Sequence, residues 1–321
     1  MVDLAIVIVN YNTRDELRDC LQSLQQAVGG FRHQVIIVDN CSTDGSAAMV
    51  RSEHPWVHAV IESEHNSGYA FANNVGLRAV GYGSDGSAAL AHLRPEALPR
   101  YVLLLNPDTV VPSDALLKML AFMDANPDGG VAGPKLVRED GSLDKACRRS
   151  FPTPKVSFYR LSGLARIFPK SRRFGRYNLD YLDVDAQADV DSVAGSFMLI
   201  RSEALEQAGP LDEAFFMYGE DLDLCYRIKQ HGWRVLYYPE VTVLHIKGAS
   251  SRKSSRRAIA AFYDAMRIFH RKHYRSQSCF LANWLIDLGV VLLCKWALLR
   301  DRLRPAQDKR VASAQVIGNV S

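Results

Sequence analysis

Four polar clusters in this chain are of the kind that bind and transform ligands. Asn10-Tyr11-Asn12, Asp39-Asn40 and Asn106-Pro107-Asp108 each follow a short apolar run, and Glu220-Asp221 opens a segment with helical spacing. Carboxamides and carboxylates can fix the polar edges of a ligand. A carboxylate can also take a proton or hold a hard divalent cation. His245 adds an imidazole after the strand-like run Val241-Thr242-Val243-Leu244. Each feature alone has an ordinary structural explanation. Asp and Asn cap helices that follow strands, a helix start favours carboxylates through its dipole, and a lone His after a strand commonly serves as a structural hydrogen-bonder. Three strand-end clusters in succession shift the balance toward one shared crevice, because open parallel sheets bind ligands beyond the carboxyl ends of their strands.

The elements that must position these groups can be read from periodicity. Leu4 to Val9 is an unbroken apolar run rich in β-branched residues, as expected of a strand buried on both faces. Thr13 to Glu16 has the spacing of a capping box, and Leu17, Leu21, Leu24 and Val28 follow as one helical stripe. Val35 to Val38 is a second buried-type strand, so the opening is a βαβ unit with a parallel sheet. A helix from about Ala70 toward Val80 comes next. Residues 82–98, rich in Gly, Ser and Ala, then read as a surface insertion. Tyr101 to Leu105 is a strand, and Ser113 is placed to cap a helix closing near Asn126-Pro127-Asp128-Gly129. Residues 138–189 are irregular and basic, as in a mobile loop region. Order is expected again over 190–201, in a helix over 221–230 and in a strand over 234–238.

Composition bounds the possibilities. A chain of 321 residues with 48% hydrophobic and 23% charged residues can bury a substantial core. A net charge of +4 argues against a dedicated nucleic-acid binder. The six cysteines show no paired spacing, which suits a reducing compartment better than a disulfide framework. Leu4 to Val9 runs into Asn10-Tyr11-Asn12 without a cleavage-type site, so no signal peptide is read and the expected location is cytoplasmic.

The motifs V-I-V-N-Y-N at 7–12, V-D-N-C-S-T-D-G-S at 38–46, N-S-G-Y-A-F-A-N-N-V-G at 66–76, L-L-N-P-D at 104–108 and G-E-D-L-D-L-C-Y-R at 219–227 carry a resemblance, which His245 in V-L-H-I-K-G-A-S-S completes. In this order, over about residues 4–250, the chain resembles family 2 glycosyltransferases, above all the bacterial rhamnosyltransferase-like branch. The resemblance implies an α/β fold of the GT-A, nucleotide-diphospho-sugar transferase type: a mostly parallel central sheet flanked by helices over 1–250, with a C-terminal helical region over 251–321. It also implies sugar transfer from a nucleotide diphosphate donor with inversion at the anomeric carbon, in cell-envelope polysaccharide synthesis. A dTDP- or UDP-sugar would be the donor, dTDP-rhamnose being favoured by the branch, and a glycan or lipid-linked glycan the acceptor.

By the same resemblance Asp39 hydrogen-bonds the pyrimidine base, an assignment that suits the imide N–H of uracil or thymine. Val9, Asn10, Tyr11 and Asn12 lie against the nucleoside, and Asn66, Gly68 and Asn73 pass beside the ribose and donor sugar. The alternatives are that Asp39 caps a helix near Thr43 and that Gly68 and Gly76 serve turns and close packing. Asp108 becomes the metal ligand, with magnesium or manganese stabilising the leaving diphosphate. Asn106 stands where relatives with a D-x-D motif have a first carboxylate, which weakens metal retention without substrate. His245 is the candidate to supply a further ligand, and Lys247, Ser250 and Ser251 could meet the diphosphate. Asp221 is the candidate general base, supported by Glu220 and Asp223, with Arg227 placed for an i,i+4 pair to Asp223. Gly195-Ser196 and Trp233 are weaker candidates for the acceptor side.

Past residue 254 the composition changes. Ile259, Phe262, Met266 and Phe269 form an apolar helical stripe among Arg256, Arg257, Arg267, Arg271 and Lys272, which suits either an anionic membrane surface or packing on the catalytic domain. Phe280 to Leu299 is long enough to span a bilayer. It carries Asn283, Asp287 and Lys295, so a helix lying in the interface is favoured, with the enzyme peripheral at the inner face of the cell membrane. Two other classes compete. A dinucleotide-binding oxidoreductase lacks support because the first turn, N-Y-N-T-R, has no G-x-G-x-x-G. A non-catalytic nucleotide-sugar or carbohydrate-binding relative would be expected to lose Asp108 or Asp221, and both are present.

Overall fold

The computed structural model describes residues 2–83, 97–246 and 255–303. Most of the Gly/Ser/Ala-rich insertion, and Lys247, Ser250 and Ser251, lie outside the described residues. The first half alternates strand and helix: β1 (Leu4–Asn10), α1 (Arg14–Gln25), β2 (His33–Asp39), α2 (Ser46–Glu53), β3 (Ala59–Glu62), α3 (Tyr69–Ala79) and β4 (Tyr101–Leu105). Then follow β5 (Thr109–Val110), α4 (Ala115–Ala125), β6 (Gly129–Val137), α5 (Pro154–Leu161), α6 (Leu164–Ile167), β7 (Ala188–Asp189), β8 (Phe197–Arg201), α7 (Ser202–Ala208), α8 (Glu220–Gln230) and β9 (Arg234–His245). Two long helices, α9 (Ser255–His273) and α10 (Phe280–Leu303), close the described chain.

All nine strands form one sheet in the order β3-β2-β1-β4-β8-β6-β9-β5, with β7 paired to β9. The pairings make β1, β2, β3, β4, β6 and β9 run one way and β5, β7 and β8 the other. The sheet is therefore mostly parallel, as expected. All seven residues of β1 are buried, which is why its sequence shows no alternation. Gly76 lets α3 lie on the sheet: a Cβ there would sit 2.3 Å from Val7 Cγ1.

Several local expectations are corrected. Thr13 precedes α1, but its side chain does not cap the helix. Its hydroxyl donates instead to Asn10 Oδ1 (2.7 Å), three residues back in the same turn, in place of the capping bond. Val28 lies beyond the end of α1 and is 53% exposed, so the stripe stops at Leu24. Asp114, not Ser113, occupies the position before α4. Residues 138–189 are structured, containing α5, α6 and β7, and they bury Arg148, Tyr159, Tyr177 and Leu179. The strand β6 gave no separate signal in sequence, because its glycines and proline dilute the apolar run.

The C-terminal helices are joined to this body. Ala265, Phe269 and Tyr274 pack on Phe215 and Leu222, and α10 packs along α9 through Ile259, Tyr263, Val290 and Ala297. Beneath the first contact lies Asp223, fully buried, which accepts from Arg227 (2.8 Å), His273 (2.7 Å) and Lys272 (3.1 Å). Burial alone would raise its pKa, but these donors win and hold it at about 2, below the ordinary 3.8. A depressed carboxylate stabilises the fold above its ordinary pKa and loses that contribution as pH falls through the folded value. Asp223→Asn strands the cations and is expected to cost about 3–5 kcal/mol near neutral pH. In urea titrations the gap between wild type and variant should shrink below about pH 4. A gap independent of pH would mean the ion pairs contribute nothing.

Candidate functional site

The parallel register aligns β1 and β2 so that Asn10 stands opposite Asp39, and β4 ends beside them on the other flank. Asn10 Nδ2 donates to Asp39 Oδ2 (2.9 Å) and Ser42 Oγ (3.0 Å), while Ser42 N donates to Asp39 Oδ1 (2.7 Å). Helix α2 begins only at Ser46, so Asp39 does not cap it; it pins the turn between the two strand ends. Val9 is buried at the end of the strand and Tyr11 is half-buried in the turn after it. Asn12 Oδ1 accepts from Thr43 N (2.8 Å), stitching the turn after β1 to the turn after β2. Four non-glycine residues have positive φ among those described, and three of them, Asn12 (54°), Cys41 (69°) and Tyr218 (72°), border this region. Strained backbone of this kind gathers at functional sites.

Asn66, Gly68 and Asn73 sit on the neighbouring wall. Asn40 Nδ2 donates to Asn66 Oδ1 (3.0 Å), which also accepts from Gly68 N (3.1 Å). Gly68 has φ +99°, and a Cβ there would lie 2.4 Å from Phe216 O, so only glycine fits. Asn73 donates to Tyr69 O (2.9 Å), and its Oδ1 is buried without a partner. The Tyr69 hydroxyl lies 3.0 Å from both Asn106 Oδ1 and Gly195 O. Burial first, then the nearby carboxylates of Glu220, Asp221 and Asp108, push the phenol well above its usual range. Tyr69 thus marks where the two halves of the site meet. Tyr69 lies within the motif at 66–76, whose spacing alone assigns it no role.

Asp108 and His245 are brought together by the β5–β9 pairing, which sets Thr109 opposite His245. His245 Nε2 lies 3.4 Å from Asp108 Oδ1, and Nδ1 lies 3.0 Å from Asp144 Oδ2. Burial would lower the His245 pKa, but the two carboxylates outweigh it and lift it to about 9. Among the described residues no group of three or more His, Cys, Asp or Glu is arranged to hold a metal ion. The pair nevertheless suits one. Asp108 Oδ1 is buried with no hydrogen-bond partner, and a metal-binding imidazole commonly has its second nitrogen held by a carboxylate, the place Asp144 occupies. Asp144 gave no signal in sequence, since it lies 101 residues from its partner in an irregular stretch.

At the start of α8, Asp221 Oδ2 accepts from Arg149 Nη2 (2.6 Å) and Gly195 N (3.1 Å), and Oδ1 accepts from Leu222 N (2.7 Å). Both partners of the ion pair are largely buried, at 11% and 13% side-chain exposure. Burial opposes the charge on Arg149, but Asp221 and Tyr177 more than compensate and raise its pKa further. Glu220 is also buried, and its Oε2 has no partner. Burial, with the charge of Asp221 second, raises its carboxyl well above the ordinary range. Arg149 is the main residue that sequence reasoning missed. Of the weaker candidates, Gly195 joins the site, whereas Trp233 packs against the core and donates to Gln207 (2.9 Å).

Comparison with known proteins identifies the family and the fold. The profile described as "Glycosyltransferase like family 2" matches residues 3–263. The N-acetylglucosaminyl-diphospho-decaprenol L-rhamnosyltransferase of Mycobacterium tuberculosis is 26% identical over 309 residues, spanning 94% of this chain and 96% of that protein. Rhamnosyltransferase WbbL of Escherichia coli is 25% identical over 75% of this chain and 82% of its own length. Among solved structures, the mannosyltransferase PcManGT of Pyrobaculum calidifontis, in complex with GDP-Man and Mn2+, superposes with a TM-score of 0.54 at 17% identity, covering 92% of this chain and 72% of that one. The fold is the GT-A type, and the chain belongs to glycosyltransferase family 2, in its rhamnosyltransferase-like branch.

Proposed function

We propose that this glycosyltransferase moves a sugar, with inversion, from a nucleotide diphosphate to a glycan or lipid-linked glycan acceptor in cell-envelope polysaccharide synthesis. Rhamnose carried on thymidine diphosphate is the favoured donor, on the strength of the rhamnosyltransferase relatives. The observation that carries this reading is the placement of Asp221, fixed by Arg149 and Gly195, across Tyr69 from the Asn106–Asp108 strand end. In one displacement the acceptor hydroxyl oxygen bonds to the anomeric carbon, the bond from that carbon to the diphosphate oxygen breaks, and the nucleoside diphosphate leaves with the electron pair. Asp221 takes the hydroxyl proton. Arg149 and Gly195 N hold the carboxylate in place, and the Asn10–Asp39 turn receives the base. Asp108 and His245 Nε2 would hold a divalent cation, magnesium or manganese, whose charge would stabilise the departing diphosphate.

The C-terminal helices belong to the same reading. A mycobacterial relative is named for a lipid-diphosphate acceptor, and α10 keeps one long apolar face exposed. The enzyme is read as cytoplasmic and peripheral at the inner membrane face, with α10 lying in the interface because it packs lengthwise on α9, itself seated on the catalytic body.

Donor turnover should be measured over a panel of UDP- and dTDP-sugars, with manganese, magnesium or a chelator. Asp221→Asn should lose about 100-fold or more of kcat while keeping nucleotide affinity; full turnover would remove Asp221 as the base. Arg149→Met should lower kcat on the order of 100-fold with little change in donor KM, the signature of a misplaced base. An unchanged kcat would make Arg149 merely structural. Asp144→Asn, which frees the His245 ring, should raise the metal concentration for half-maximal activity about 10–100-fold. Equal metal dependence in the two proteins would remove His245 as a ligand.

A further inference from the structure

A cavity of about 670 Å³ opens between the end of α9, the turn after it and the first half of α10. Its walls include Arg271, Lys272, Arg275, Phe280, Trp284 and Asp287. Two of the three cations are already engaged: Arg271 with Asp287 (3.1 Å), and Lys272 with Asp212 (2.5 Å) and Asp223 (2.9 Å). Arg275 makes no ion pair among the described residues. Asp287 is the one carboxylate in the wall, and it is shared between Arg271 and Arg267. The cavity thus presents net positive charge with a free guanidinium, a fork suited to phosphate oxygens.

One side of this basic cavity is apolar and continues outward. Phe280 and Trp284 are 83% and 52% exposed, and from them Leu285, Leu288, Leu292, Trp296 and Leu299 run down one exposed face of α10. That helix has a mean hydropathy of 1.6 over its most apolar window, of which only 11% is buried. Aromatic residues at the junction of a cationic pocket and an apolar stripe match the boundary between lipid headgroups and chains. A free phosphate would use the cations alone, whereas an occupant that carries both charge and hydrocarbon would use the cations and the stripe together.

We propose that this cavity seats the phosphate of an anionic membrane lipid, with Arg275 as its principal contact and the lipid chains lying along the α10 stripe. The proposal rests on the reading that the C-terminal helices lie on a membrane, and it adds a defined headgroup site. It is tested with the full chain by flotation with phosphatidylglycerol or phosphatidylcholine vesicles. Arg275→Glu is compared with Arg302→Glu, an equal charge reversal at the far end of α10, and with Leu285→Asp in the stripe. Arg275→Glu should weaken binding to phosphatidylglycerol vesicles about 10-fold or more, well beyond Arg302→Glu, and Leu285→Asp should weaken it as well. Equal losses from the two charge reversals would overturn the site in favour of diffuse attraction, leaving the membrane reading intact. Inorganic phosphate that raises the melting temperature of the wild type but not of Arg275→Glu, with Leu285→Asp still binding vesicles normally, would overturn the lipid as occupant. Absence of binding to either vesicle would overturn the site and the membrane reading together. Donor turnover, measured on the same proteins, reports separately on folding and on the glycosyltransferase reading.

Discussion

The site depends on one constraint: strands that run the same way deliver their ends to the same edge. β1 lies between β2 and β4 in parallel register, so the turns after all three emerge side by side. The reversed strand β8 does not break this pattern. It begins where β4 ends, Asn106 N donates to Ser196 O (3.0 Å), and Gly195 arrives at the same edge from the opposite direction. β9, parallel to β6, finishes there with His245, and the short return of β5 sets Asp108 beside it. Residues from five separate stretches of chain meet because their strands all end or begin at this one edge.

Gathering polar groups at a buried edge carries a desolvation cost, and the pairings at this edge follow from it. An uncompensated buried charge is expensive, so each must find an opposite charge or give up its own. Asp221 finds Arg149, and His245 finds Asp108 and Asp144. Glu220, next to Asp221 and without a cation of its own, is pushed toward the neutral form. The nearby cation is thus committed to Asp221, which also accepts from Gly195 N and Leu222 N. Three of the buried polar atoms without a hydrogen-bond partner among the described residues, Asp108 Oδ1, Glu220 Oε2 and Asn73 Oδ1, belong to residues of this site.

What the sequence made legible follows from this geometry. Strand-end turns are local, so Asn10, Asp39 and Asn106 could be found from the apolar runs that precede them, and the helix start at Glu220 from its spacing. Arg149 and Asp144 could not, because each acts through a partner 72 or 101 residues away and lies in a stretch without periodicity. The mistaken cap at Thr13 has a local cause: the spacing was right, but Asn10 offered its hydroxyl a closer use. The order within residues 138–189 was not legible because it comes from long-range contacts, such as Arg148 donating to the carbonyls of Leu182 (2.9 Å) and Asp183 (2.6 Å), which leave no repeating pattern.

Helix α8 joins the chemistry to the C-terminal helices. Residues 221 and 223 are two apart and point to opposite sides of a helix turn. Asp221 accordingly faces Arg149 and Gly195, while Asp223 faces Lys272 and His273 at the end of α9. The second contact is sealed by Phe215, Leu222 and Phe269, so α9 cannot shift without disturbing the first turn of α8. Since α10 lies along α9, its exposed apolar face holds a fixed attitude to Asp221. If the proposed membrane contact is made by that face, it would fix the orientation of Asp221, the proposed base, relative to the lipid surface. In that arrangement the ion cluster at Asp223 and the apolar contacts around it together would hold α9, and with it α10, to the first turn of α8.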